Sequence, residues 1–155
     1  MAEALCMYIK EDRPFLGICL VLRLLFEQSE ENGLGEIKGL GLIPGVVGRF
    51  DSYSGIKVPH IGWNALKSDA NRDWISSTCN YGDNFIASVQ RGNVHAVQFH
   101  PEKSGDVGLS ILRRYLDSSA PSTIKGRVGK LPGNLYSLVG VHSGNKVQKN
   151  ENKAK

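Results

Sequence analysis

No stretch of the chain narrows its possible folds as much as Arg13-Pro-Phe-Leu-Gly-Ile-Cys-Leu-Val-Leu-Arg-Leu-Leu-Phe26. Phe15 to Ile18 reads as a short apolar strand, Cys19 falls on a tight turn, and the apolar run that follows has helical character. A strand-turn-helix of this kind lifts the side chain at its tip clear of a sheet. It also aims the first amides of the helix at whatever that side chain meets. Those amides and the helix dipole favour a thiolate over a thiol, whose free pKa is about 8.5. A cysteine alone is more often a small buried residue. A second segment changes that reading: Val94-His-Ala-Val-Gln-Phe-His-Pro-Glu102 is a strand ending in His100, with Glu102 two residues on. A thiol nucleophile needs a base, and the base needs a group that fixes its tautomer. Cys19, His100 and Glu102 fit those three roles.

The rest of the chain predicts an α/β fold. Ala4, Leu5, Tyr8 and Ile9 lie at helical spacing within 2–10, and Pro14 disfavours continuation of that helix. The helix after Cys19 is predicted to run to about Glu27, with the polar Ser29-Glu-Glu-Asn-Gly33 ending it. Recurrent glycine from Gly35 to Gly48 predicts loops and short extended pieces, and Ile56 to Pro59 a strand. Trp74 to Cys79 predicts another. Phe85 to Gln90 and Val94 to Phe99 predict a hairpin around Arg91-Gly-Asn93. Val107, Ile111, Leu112 and Tyr115 share one face of a last helix over 107–116.

Gly17-Ile-Cys-Leu followed by Leu-Leu-Phe26, with Phe99-His-Pro-Glu-Lys-Ser104, resembles the class I (triad-type) glutamine amidotransferases. Gly39-Leu-Gly-Leu-Ile-Pro-Gly45 and Pro59-His-Ile-Gly-Trp-Asn64 are similar to the amidotransferase part of imidazole glycerol phosphate synthase, most of all to the plant type fused to a cyclase barrel. The resemblance covers roughly 1–117, with no family motif found after it. It implies a doubly wound, Rossmann-like fold, incomplete at the N-terminus because the family places the first helix well inside the domain. It also implies glutamine hydrolysis by a Cys19-His100-Glu102 triad, with Gly17, Leu20 and the position of Arg23 at the substrate. Ammonia would pass to a cyclase barrel, here in another chain, across a face containing His60, Trp63, Asn64 and Lys103. Neither metal nor organic cofactor is implied. The plant-type wording implies a chloroplast address, with a cytoplasmic one as alternative, since no transit peptide is visible.

The sequence departs from that pattern at specific positions. Val21 stands where the family's Gly-x-Cys-x-Gly elbow has its second glycine, and overpacking of this kind costs about 1–3 kcal/mol. Arg23 replaces a glutamine whose amide helps hold substrate. The N-terminal loop that completes the oxyanion hole is not found. Only Ala65 to Arg72 fills the interval in which the family carries a further substrate-contacting strand. Two functions from different classes follow: a working glutaminase domain served by a separate cyclase, or a catalytically defective relative acting at most as a binding module. Another cysteine hydrolase on this scaffold is a third, opposed by Pro59-His-Ile-Gly-Trp-Asn64.

Charge separates the chain into 1–117, a partial amidotransferase domain, and 118–155, a basic tail. The first has 12 Lys and Arg against 14 Asp and Glu; the second has 7 against 1. The basic balance therefore belongs to the tail, whose Gly, Ser, Asn and Lys predict a solvated, mostly disordered segment with Leu131–Val141 as the exception. Neither a nucleic-acid nor a membrane partner is expected: the positive charge reads as a solvated tail, and no apolar run approaches about 18 residues. Cys6, Cys19 and Cys79 form no CxxC pair and suggest a reducing compartment.

Overall fold

The computed structural model describes residues 1–30, 37–50, 55, 57–69, 74–119 and 145–148. Among them, α1 (Ala2–Lys10) leads into β1 (Phe15–Ile18), Cys19, and a short α2 (Leu20–Leu24). Then come β2 (Phe26–Ser29), β3 (Ile37–Lys38), β4 (Ile43–Arg49), β5 (Lys67–Asp69), β6 (Ile75–Tyr81), β7 (Asp83–Arg91) and β8 (Val94–Val97). A single 3-10 turn (Pro101–Lys103), α3 (Gly105–Ser119) and β9 (Asn145–Gln148) complete the described residues. The larger sheet has the order β1-β8-β7-β6-β5, parallel only at β1-β8, and the smaller has the order β3-β2-β4-β9. The α/β class is as expected.

Alternation along β8 builds a core on each face of the larger sheet. Val94 and Ala96 join Ile9, Leu22, Leu25 and Phe26, so one face is covered by α1, α2 and the smaller sheet. Val97 joins Phe85, Cys79 and Phe99 with Ile111 of α3 on the other. Along β7 the parity shifts: Ile86 and Val89, three apart, both face the first core. A register shift between Ser77 and Thr78 inserts the extra residue that makes this possible. The hairpin turn is clasped from outside. Asp12, at φ 55, accepts the Asn93 N–H on its carboxylate at 2.8 Å, and Asn93 Nδ2 also donates to the Asp12 carbonyl at 3.1 Å.

Several expectations need correction. The helix after Cys19 stops at Leu24 rather than Glu27, because the carbonyls of 24–27 are turned out to backbone donors from 39–43. Leu40 N–H bonds Leu24 O, Leu42 and Ile43 bond Leu25 O, Gly41 bonds Phe26 O, and Gly39 bonds Glu27 O. Gly39 is required there, since a Cβ would run into the Phe26 carbonyl. Lys57 to Pro59 is a bend rather than part of a strand, while Ile56 lies outside the described residues. Within the basic tail, Asn145–Gln148 pairs antiparallel with β4, whereas Leu131–Val141 lies outside the described residues. No helix among the described residues is long and apolar enough to cross a membrane.

Candidate active site

Cys19 takes its position from the strand pair beneath it. β1 and β8 run parallel with Ile18 opposite Val97, and the Cys19 N–H extends the ladder to the Val97 carbonyl at 2.7 Å. The chain must then reverse sharply into α2, which forces φ 55 and ψ −107 on Cys19. Positive φ is uncommon outside glycine, and residues held this way cost about 1–3 kcal/mol and collect at functional sites. Leu20 opens α2, where backbone N–H groups have no intrahelical acceptor. Two side-chain nitrogens reach the sulfur: Arg23 Nη2 at 4.0 Å from α2, and Gln98 Nε2 at 3.8 Å from the residue after β8.

His100 follows on the same strand exit. Parallel pairing of β1 with β8 puts Cys19 and the segment carrying His100 at one end of the sheet. His100 precedes the turn containing Glu102 and Lys103, and its Nδ1 lies 2.6 Å from Glu102 Oε1. Its carbonyl accepts the Ser104 hydroxyl at 2.7 Å, fixing the turn to the start of α3. Burial pushes the Glu102 carboxyl up, but the His100 hydrogen bond, a backbone hydrogen bond and the charges of His100 and Lys103 outweigh it, leaving Glu102 below its ordinary range. The carboxylate is 44% exposed, so this pairing orients more than it stabilises.

The predicted residues thus fall into two sets. Cys19, Arg23, His100, Glu102 and Lys103 gather at the exits of β1 and β8, with Gly17 directly below on β1. Gly17 has a packing role: a Cβ would stand 2.9 Å from Val21 Cγ1 and 3.2 Å from Ala96 Cβ. Trp63 and Asn64 lie elsewhere, before β5 at the opposite edge of the sheet, where Asn64 Nδ2 donates to Asn80 O at 2.7 Å. Trp63 is 54% exposed there. His60 stacks on Tyr81 with ring centroids 3.7 Å apart, and burial lowers its pKa. Gln98 belongs to no catalytic motif, and its one signal in the sequence is an amide inside an otherwise apolar strand exit. Among the described residues no cluster of His, Cys, Asp and Glu could hold a metal ion.

Comparison with known proteins identifies the family. Residues 1–117 match the model of the glutamine amidotransferase class-I family. The chain is 55% identical to the chloroplastic imidazole glycerol phosphate synthase hisHF of Arabidopsis thaliana, over 94% of its own length and 29% of the relative's. It is 37% identical to the synthase subunit HisH of Gloeobacter violaceus and 40% identical to that of Herpetosiphon aurantiacus. Those matches cover 77% and 76% of this chain and 64% and 65% of the relatives, so it spans less than two thirds of each. The Arabidopsis match corrects the expectation that resemblance ends at Asp117, since 94% coverage reaches into the basic tail. It runs over 175 positions, more than this chain's 155, so the relative has residues with no counterpart here. On the matched family model, the shared motifs and the α/β architecture, the chain belongs to the class I glutamine amidotransferase family.

Proposed function

We propose that this chain is the glutamine-hydrolysing part of an imidazole glycerol phosphate synthase, with turnover lowered by Arg23. The observation that carries the reading is Cys19 at φ 55 on the strand-to-helix turn, at the same sheet end as the 2.6 Å His100–Glu102 pair. Glu102 holds the proton on His100 Nδ1, which leaves Nε2 to exchange protons. The Cys19 thiolate attacks the side-chain amide carbon of glutamine, and backbone amides including that of Leu20 hold the oxyanion. His100 protonates the departing ammonia and then takes a proton from the water that cleaves the thioester. Glutamine and water give glutamate and ammonia, and Cys19 is regenerated.

Ammonia is the product a cyclase partner would consume. The Arabidopsis relative is named as hisHF, and the bacterial relatives are named as HisH subunits of the synthase. Exposed Trp63, with Asn64 beside it, is assigned to the partner face, which Lys103 at the opposite edge of the sheet does not share, and a chloroplast location follows from the same relationship. The departure at Arg23 acts on substrate binding. An arginine at 4.0 Å from the sulfur occupies the approach of a neutral amide and has no acceptor to offer it. The test is glutamate release from glutamine by the purified chain with a cyclase barrel added. Release that exceeds a Cys19→Ser control and rises with the barrel supports the reading; release unaffected by Cys19→Ser overturns it.

A further inference from the structure

Gln98 is fully buried at the exit of β8, where an apolar side chain would pack without penalty. Its backbone is fixed on one side, with its N–H donated to Ala87 O at 2.8 Å. The neighbouring Val97 carbonyl takes the Cys19 N–H at 2.7 Å, so the two residues are tied through one strand pair. From this anchored position the carboxamide reaches Cys19 Sγ at 3.8 Å. A carboxamide donates N–H at every pH and cannot itself accept the thiol proton. A donor aimed at a group that ionises favours the charged form, because hydrogen bonds to ions are the stronger ones. The other charged or titratable groups at this end are Arg23 on α2 and His100, Glu102 and Lys103 beyond β8. Arg23 reaches the sulfur from a longer arm one helical turn on, whereas Gln98 has its backbone set in the sheet.

We propose that Gln98 is a positioning residue for the nucleophile, its Nε2–H holding the Cys19 sulfur in place and stabilising its thiolate. This rests on the reading of Cys19 as nucleophile, but it is testable without glutamine. The measurement is the rate of iodoacetamide alkylation of Cys19 in the intact folded chain, from about pH 6 to 10. Peptide mapping separates Cys19 from Cys6 and Cys79. Gln98→Met keeps length and loses the donor; Gln98→Glu keeps shape and adds a negative charge beside the sulfur. The expected result for Gln98→Met is alkylation roughly fivefold to tenfold slower at neutral pH, converging on the parent at the alkaline end. Gln98→Glu should be slower still at neutral pH.

A purely structural Gln98 would lower the thermal midpoint yet leave the ratio of neutral to alkaline rates at the parent's value, and that ratio overturns the proposal. Should neither variant fold, the unsubstituted chain decides by NMR. Side-chain amide protons of Gln98 that move when Cys19 is alkylated support it, and protons that stay fixed overturn it. Absence of glutamine turnover would not alter the alkylation result. An unchanged alkylation profile would in turn leave glutamine hydrolysis by Cys19 intact.

Discussion

Gly17 and Val21 meet across the turn that carries Cys19, with Val21 Cγ1 filling the space that a Cβ on Gly17 would need. Such a Cβ would lie 2.9 Å from that methyl, closer than carbon atoms pack. The β-branched residue in the elbow is therefore tolerated because the strand beneath it has no side chain there. The expected overpacking is absorbed by one glycine, and what remains is a turn with no slack.

Gly17→Ala should destabilise the chain by about 1–3 kcal/mol through overpacking between β1, α2 and Ala96. In a Val21→Gly background the same change should cost clearly less, because the two sites are in contact and their effects couple. Denaturant unfolding of the four chains of this cycle measures the coupling. Equal costs in both backgrounds would show that Val21 is not what Gly17 makes room for.

Gly108 sets how closely α3 approaches the turn bearing His100 and Glu102. A Cβ on Gly108 would run into the Pro101 carbonyl, and Gly108 N–H already bonds Ser104 O at 3.0 Å. Gly108→Ala should therefore push α3 off the turn. Stability should fall by about 1–3 kcal/mol even though alanine is the better helix former. Thermal or urea unfolding reads this directly; a stability gain would mean that the approach is not tight.

Burial pushes the Cys79 thiol up to about 11, only partly offset by a backbone hydrogen bond from Asn80. A raised folded value means that the unfolded chain loses this proton first as pH rises. The stabilising contribution is whole below the unfolded thiol value near 9 and is lost by about pH 11, amounting to about 2–3 kcal/mol. Cys79→Ala, although it leaves a small cavity, should flatten that alkaline decline. In the native chain at mildly alkaline pH, Cys19 should alkylate before Cys79. Equal labelling would contradict the burial of Cys79, which is 4% exposed.

Much of this arrangement was legible because local signals and tertiary structure agree. Apolar Phe15–Ile18 before Cys19, the Arg91-Gly-Asn93 turn and the apolar face of α3 each specify their element without help from distant residues. The run Leu22 to Glu27 was less readable. Its composition suits a helix, but the backbone donors of 39–43 convert Phe26–Ser29 into a strand beside β4. Pairing partners remote in sequence leave no local mark. The same holds for Asn145–Gln148, whose polar composition resembles a solvated tail until β4 supplies an edge for it. At the site, Cys19, His100 and Glu102 were visible as motif residues. Gln98 was passed over because its contact with the sulfur depends on the parallel register of β1 and β8.

The Cys19 sulfur turns over glutamine slowly because Arg23 stands beside it, while Val21 is accommodated above Gly17. Glutamate release should be measured for the parent, the Val21→Gly/Arg23→Gln double variant and a Cys19→Ala control, each with a cyclase barrel present. Losing about 1.4 kcal/mol at Arg23 would lower the rate about tenfold. The parent should exceed the control by only a small margin, and the double variant should exceed the parent by at least about tenfold, with the arginine reversion carrying most of the gain. A parent far above the Cys19→Ala control, with no further rise in the double variant, would contradict the account.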